Sequence, residues 1–187
     1  MTAIPLIAIN NEVPKSFLPC IVKPNAQGST FGLSLVEKMI DLDKAVINSL
    51  KFDKDVLLEK YIPGREITVG ILDDKALPIV EVLPSHKLYD YKCKYTPGLT
   101  KYICPANLSE DLKNKIMFDS LKIFNLLKCK GYGRVDYILD ENNNYYFLEI
   151  NTLPGMTSTS LLPIAAKTAN ISFNKLIKII IELGLKG

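Results

Sequence analysis

Residues 131–160 read GYGRVDYILDENNNYYFLEINTLPGMTSTS. Two segments in this run, Val135 to Leu139 and Tyr145 to Ile150, are rich in β-branched and aromatic residues and read as strands. Asp140-Glu141-Asn142-Asn143-Asn144 between them is a turn-forming cluster. Asparagine tolerates positive φ, so the expected turn is a tight one centred on Asn142-Asn143. That centre sets a register in which Asp136 opposes Glu149 and Arg134 opposes Asn151. Opposed residues share a face of the sheet, as do residues two apart on a strand. Arg134, Asp136, Glu149 and Asn151 therefore form one polar patch, with Ile138 and Phe147 expected on the same face. Two carboxylates and a carboxamide oxygen crowded together repel one another without a cation. Hard oxygen donors of this kind suit Mg²⁺. Arg134 is one of two arginines, the other being Arg65. Its planar fork suits phosphate or carboxylate. The plain alternative is a surface hairpin with its polar residues in water. Against it stands the segment that follows, Leu153-Pro154-Gly155-Met156-Thr157-Ser158, a rigid turn rich in hydroxyls and backbone donors.

A chain of 187 residues holds one ordinary domain or two small lobes, and 48% hydrophobic residues can bury a core. The net charge is only +3 and the lysines are scattered, so nucleic acid is not an expected partner. The four cysteines, Cys20, Cys93, Cys104 and Cys129, have no C-x-x-C spacing and read as reduced thiols of a cytoplasmic protein. With a single histidine, His86, a zinc site is not expected. No signal-peptide pattern opens the chain. The most apolar tract, Leu176 to Leu185, carries Lys178 and Glu182, so no membrane span is expected.

Elsewhere strands and helices interleave. Pro19 to Lys23, Val56 to Tyr61 and Glu66 to Leu72 read as strands, and Leu77 to Leu83 as the hairpin partner of the last across Asp73-Asp74. Asp41 to Ser49 reads as a helix capped by Asp41, with Leu42, Ala45, Val46 and Ser49 on one stripe. Ser85 to Thr100 reads as a long polar loop. Ser109 caps a helix whose stripe is Leu112, Ile116, Leu121 and Phe124. Leu161 to Ala169 is a further helix. The final one starts at Ser172 with Phe173, Leu176, Ile177, Ile180 and Ile181 as its apolar face. The class is α+β.

Three weaker features remain. Lys23-Pro24 followed by Gly28-Ser29 fits a loop whose backbone amides could approach a phosphate, or an ordinary glycine turn. Glu59-Lys60 and Glu66 flank a link between lobes, where an adenine slot would sit, yet strand-end charges are common. Tyr89 to Tyr95 could be a lid or a solvated loop.

Taken in order, Val22-Lys23-Pro24…Gly28-Ser29, Leu58-Glu59-Lys60…Glu66, Tyr89-Asp90-Tyr91…Lys94-Tyr95, Cys104-Pro105-Ala106, Gly131 to Asp136 and Leu148 to Thr157 resemble D-alanine–D-alanine ligases of the ATP-grasp superfamily. The likeness covers nearly the whole chain. It implies an ATP-grasp fold, with an α+β lobe over residues 1–65 and a second over 66–187, and antiparallel sheets clasping ATP. It implies a bacterial, cytoplasmic enzyme of cell-wall peptidoglycan synthesis that joins two D-alanines through an acyl phosphate. Lys23 would touch the phosphates, Glu59 and the Lys60 backbone the adenine, and Glu66 the ribose. Asp136, Glu149 and Asn151 would hold two Mg²⁺, with Mn²⁺ as a substitute. Arg134 and the Gly155 amide would face the oxyanion. Lys94 would bridge the phosphate and the second substrate's carboxylate, with Ser160 and Leu161 at that carboxylate. Ser29 and Tyr95 would meet when the lid closes, with the Tyr95 hydroxyl favouring D-alanine over D-lactate.

One departure is large. The family carries an N-terminal domain that anchors the first substrate's ammonium, and nothing in Met1 to Leu18 can stand for it. The expectation is a chain that folds and binds Mg·ATP but turns over poorly alone. A separately encoded N-terminal domain is an expected partner, and a homodimer is compatible with the family. The competing readings are another ATP-grasp carboxylate–amine ligase and a non-catalytic ATP-binding remnant.

Overall fold

The computed structural model describes residues 5–6, 14–84, 98–157 and 159–185. These residues divide into two compact units that part between Pro63 and Gly64. One contains the described residues before Gly64 together with Pro84 and residues 98–100, the other Gly64–Leu83 and the chain from Lys101 onward.

The first unit holds a sheet of β1 (Pro5–Leu6), β2 (Cys20–Pro24), β3 (Ser34–Val36) and β4 (Val56–Lys60), in spatial order β1-β4-β2-β3. All neighbours are antiparallel. Alternate residues of β2 are buried, because one face packs on helix α1 (Leu42–Ser49). Cys20, Val22, Val36 and Leu58 meet Leu42 and Ala45 there. Helical periodicity puts Leu42, Ala45 and Ser49 on the inner side, as the sequence implies. Asp41 does not cap α1. It closes a 3-10 turn, Met39–Asp41, with helical backbone (φ −91°, ψ −9°), and its side chain makes no capping bond. An N-cap needs extended backbone, which that turn denies it.

The second unit is built on β5 (Arg65–Leu72), β6 (Lys75–Ala76), β7 (Val80–Pro84), β8 (Thr100–Ile103), β9 (Tyr132–Leu139) and β10 (Tyr145–Asn151). Their order is β10-β9-β5-β7-β8, with β6 paired to β5. The expected single partner strand for β5 is split. Lys75–Ala76 pairs with Ile71–Leu72, and Val80–Val82 pairs with Glu66–Thr68 in a register one residue on. Pro78 lies in the gap, where it has no N–H to give the ladder. Strand β8 begins at the last residue of the expected loop, Thr100, and runs three residues beyond it.

One face of this sheet is the core. Ile67, Val69, Ile71, Ile79, Val135, Tyr137 and Leu139 lie under helix α2 (Glu110–Leu126), against Ile116 and Phe124. Burying side chains of this size contributes roughly 1.5–3 kcal/mol each. Ser109 starts α2 as expected, its Oγ accepting from the Leu112 amide at 3.4 Å. Helix α3 (Leu161–Thr168) covers part of the other face. Gly70 permits this approach, since a Cβ there would stand 2.7 Å from Leu162 Cδ1. Helix α4 (Phe173–Gly184) packs against α3, with Ser172 Oγ accepting from the Lys175 amide at its start. Its buried stripe is narrower than expected: Leu176 is fully buried, but Phe173 and Ile181 are exposed.

Candidate functional site

The β9–β10 hairpin departs from the expected geometry twice, and the two departures cancel at the polar patch. Its turn spans three residues, Glu141 to Asn143, rather than two. The Asp140 amide donates to the Asn144 carbonyl at 2.9 Å, and only Asn143 has positive φ (62°). The Asp140 carboxylate accepts from the Asn144 side chain (3.0 Å) and from the amides of Asn144 (2.8 Å) and Asn142 (2.9 Å). These bonds, the Asn144 side chain first, hold its pKa below the usual carboxylate value. Next to this longer turn Tyr145 opposes Leu139 and Phe147 opposes Tyr137. A β-bulge then takes up Leu148, after which Glu149 opposes Asp136 and Asn151 opposes Arg134.

The expected pairings at the patch are therefore found. Phe147 is a correction. It lies on the helix face, edge-on to Tyr137 with ring centroids 6.2 Å apart, and not beside Ile138. One extra residue reverses the alternation of everything on the turn side of it.

Strand β5 completes the face. Thr68 opposes Asp136 and Glu66 opposes Ile138, so Glu66, Thr68, Arg134, Asp136, Glu149 and Asn151 share one side of the sheet. Asp136 is buried, 7% exposed. Arg134 Nε donates to its Oδ1 and Nη2 to its Oδ2, both at 2.8 Å. The Thr68 hydroxyl donates to Oδ1 at 2.5 Å. These bonds offset the cost of burying the carboxylate. Glu149 is exposed, and the Asn151 side-chain oxygen accepts from the Leu153 amide at 3.1 Å. Thr68 is the member that sequence reasoning misses. Its only signal is that it stands two residues after Glu66.

Two carboxylates and one carboxamide oxygen, all hard donors, fit Mg²⁺. No group of three His, Cys, Asp or Glu side chains forms a metal cluster among the described residues. The third oxygen donor of this patch is an amide.

Beyond β10 the chain turns back. Gly155 is exposed and lies close to Ser160, whose Oγ would stand 3.0 Å from a Cβ at Gly155. Ser160 Oγ accepts from the Thr157 amide at 2.9 Å and bonds the Thr157 hydroxyl at 2.8 Å. The Leu161 side chain is buried in the core, 7% exposed, which leaves its backbone for any ligand contact.

In the first unit, Lys23 and Glu59 share the face of β2 and β4 opposite α1, because each alternates with the buried residues Val22 and Leu58. Lys23 Nζ and Glu59 Oε2 are 2.8 Å apart, with side chains 24% and 12% exposed. The Lys60 amine is committed elsewhere, donating to the carbonyls of Leu18 (2.8 Å) and Ser16 (3.1 Å). The loop after β2 is strained. Ser29 (φ 57°) and the β-branched Thr30 (φ 60°) are both left-handed. It is tied down by the Ala26 amide donating to Asp53 at 2.6 Å and by Phe31 stacked on Phe52. Lys94 and Tyr95 lie outside the described residues.

A groove of about 250 Å³, lined by Asp119, Lys122, Tyr137, Tyr145 and Phe147 among others, opens beside α2. Tyr137 and Phe147 belong to the helix face of the sheet, so this groove is not part of the polar patch. No helix among the described residues is long and apolar enough to cross a membrane.

Residues 7–182 match the family described as D-ala D-ala ligase C-terminus. A D-alanine--D-alanine ligase of Methylacidiphilum infernorum is 47% identical over 165 residues, covering 88% of this chain and 54% of that protein. The crystal structure of the D-alanine--D-alanine ligase of Bacillus anthracis is similar with a TM-score of 0.83 at 35% identity, over 99% of this chain and 62% of that one. The Bacillus anthracis ligase complexed with ATP gives 0.80 at 34% identity, over 99% and 61%. The chain thus spans 54–62% of the length of these relatives.

Proposed function

The chain belongs to the D-ala D-ala ligase C-terminal family and has its ATP-grasp, α+β fold; from that premise we propose that it supplies the ATP- and Mg²⁺-binding part of an enzyme joining two D-alanines. The observation that carries this reading is the hairpin face, where register and bulge bring Arg134, Asp136, Glu149 and Asn151 together. Asp136, Glu149 and Asn151 would hold two Mg²⁺, or Mn²⁺ in its place. Once bound, the ions would neutralise phosphate oxygens during phosphoryl transfer.

The chain's own residues do the rest. Lys23, beside the glycine loop, offers a cation to phosphate. Glu59 and the Lys60 backbone address the adenine. Confinement of the Lys60 amine to two carbonyls supports a backbone role there. Glu66 addresses the ribose. A carboxylate oxygen of the first D-alanine takes the γ-phosphoryl group, and ADP leaves. The amine of the second D-alanine then attacks the acyl carbon. A C–N bond forms, the C–O bond to phosphate breaks, and phosphate and the amine proton depart. Arg134 and the Gly155 amide offset the charge on the carbonyl oxygen as it turns tetrahedral. Lys94, Ser160 and the Leu161 backbone receive the second carboxylate. Ser29 and Tyr95 meet at loop closure, with the tyrosine hydroxyl selecting D-alanine. The setting is cytoplasmic peptidoglycan synthesis, with a separate N-terminal domain or a second copy of the chain as candidate partners.

Calorimetric titration of a non-hydrolysable ATP analogue with Mg²⁺ tests the site. Asp136→Asn and Glu149→Gln are expected to weaken binding at least about 10-fold, the lower end for loss of metal-site groups. Glu141→Gln, in the exposed turn, should leave it unchanged. Equal affinity in all three variants would sink the assignment. Mass spectrometry of products from D-alanine and ATP, with and without the N-terminal domain of a relative, tests the reaction.

A further inference from the structure

We propose that Thr68 is a positioning residue of the metal site, its buried hydroxyl occupying Oδ1 of Asp136 so that Oδ2 is the oxygen offered to the cation. This rests on the assignment of Asp136 as a metal ligand. Each carboxylate oxygen has about two lone-pair sites. Oδ1 receives two donors, the Thr68 hydroxyl at 2.5 Å and Arg134 Nε at 2.8 Å. Oδ2 receives one among the described residues, Arg134 Nη2 at 2.8 Å. One site on Oδ2 therefore stays open, and Asp136 binds through a single oxygen.

The hydroxyl has one proton and two acceptors in range, Asp136 Oδ1 at 2.5 Å and the Val135 carbonyl at 3.2 Å. The shorter contact is to the charged group and falls in the range of charge-assisted O–H···O⁻ bonds. Position strengthens the role. Thr68 is 2% exposed and sits on β5, which is paired on both sides, to β9 and β7. Its χ1 is restricted, as for any β-branched residue. Glu149 and Asn151 stand on β10, the edge of the sheet. Asp136 is thus the ligand held in place by the interior, and the other two have room to adjust to it. Outer groups that orient a ligand commonly change metal affinity by about 10–100-fold when removed.

The test follows Mn²⁺ binding, in the presence of a non-hydrolysable ATP analogue, by the electron paramagnetic resonance of free Mn²⁺. Thr68→Val keeps the shape and removes the hydroxyl, and it should weaken Mn²⁺ binding about 10-fold or more. Thr68→Ser restores the hydroxyl and should bind within about 3-fold of the parent, a loss smaller than that range's floor. Urea melts should place the folded variants close together, so that stability does not account for the difference. If Thr68→Val fails to fold, Thr68→Ser against Thr68→Ala decides, since both lack the methyl group and differ only in the hydroxyl. Equal Mn²⁺ affinity within either pair overturns the inference. Asp136→Asn separates the two levels. If it binds Mn²⁺ as the parent does, the metal site itself is misassigned. If it binds weakly while Thr68→Val binds normally, the site stands and the role of Thr68 falls.

Discussion

Tyr137 is 1% exposed, and its hydroxyl hydrogen-bonds to Ser120 Oγ at 2.9 Å. Ser120 spends its own proton on the Ile116 carbonyl at 2.7 Å, so the phenol is the donor. Burial is the main cause that pushes this phenol from 10.0 up to about 12. A raised folded-state value means that the contribution to stability is fully present below pH 10 and is lost as pH climbs through 12. Tyr137→Phe should cost about 1 kcal/mol at neutral pH, the usual net worth of such a bond. It should also flatten the fall in stability between pH 10 and 12, read from urea melts across that range. An alkaline arm identical to the parent's would contradict the assignment. Single residues also mark the limit of what a sequence discloses. Arg134, Asp136, Glu149 and Asn151 stand out because strand alternation and a register centred on the asparagine turn gather them. Thr68 does not, because a threonine in a strand is ordinary until the strand opposite it is known. Leu161 reads as a ligand residue by likeness, yet its side chain belongs to the core.

The hairpin is the element on which the site depends, and its correct register at the patch hides a more complex local structure. A two-residue turn without a bulge and a three-residue turn with one give the same partners beyond Leu148. Sequence alone cannot separate them, because the compensating residue is an unremarkable leucine. The difference shows only on the turn side, where Phe147 goes to the helix face. The bulge makes two neighbouring deletions unequal. Leu148 has no cross-strand partner in the ladder, so removing it leaves Glu149 opposite Asp136 and Asn151 opposite Arg134. Removing Ile150 instead moves Asn151 opposite Val135, onto the buried face. Deletion of Leu148 should therefore retain Mg²⁺-dependent binding of an ATP analogue, and deletion of Ile150 should abolish it. Titration calorimetry on both, with circular dichroism to confirm folding, gives the comparison. Equal damage from the two deletions would show that Leu148 is no mere spacer. The start of α1 shows a related limit: Asp41 has the composition of a cap, but the 3-10 turn it closes sets its backbone. Helices α2 and α4, entered from extended backbone at Ser109 and Ser172, have the caps their sequences announce.

At the scale of the molecule, Lys23 and Glu59 belong to one compact unit, and Asp136, Glu149 and Asn151 to the other. Each unit has its own core, so unfolding need not be a single step. Scanning calorimetry without ligand is expected to show two transitions, each assignable by one substitution. Leu58→Ala removes a buried side chain from the first unit, at a cost of roughly 2–5 kcal/mol, and should lower one transition only. Glu81→Gln should lower the other. Glu81 holds Arg65 by two bonds of 2.7 Å, and Arg65 Nη2 also donates to the Asn107 carbonyl at 3.1 Å. Arg65 is 38% exposed, so solvent screens the loss and the cost is about 1–2 kcal/mol. A ligand that binds only the folded protein stabilises it by about 2.7 kcal/mol at 100 times its Kd. For units of this size that raises a melting temperature by roughly 10–20 °C. Each unit holds residues assigned to the Mg²⁺–ATP analogue complex, so both transitions are expected to rise. A magnesium-dependent rise confined to the unit of Asp136 would remove Lys23 and Glu59 from the nucleotide site. A rise confined to the unit of Lys23 would remove the hairpin instead, since a nucleotide held there alone leaves the unfolding of the larger sheet unlinked to its concentration.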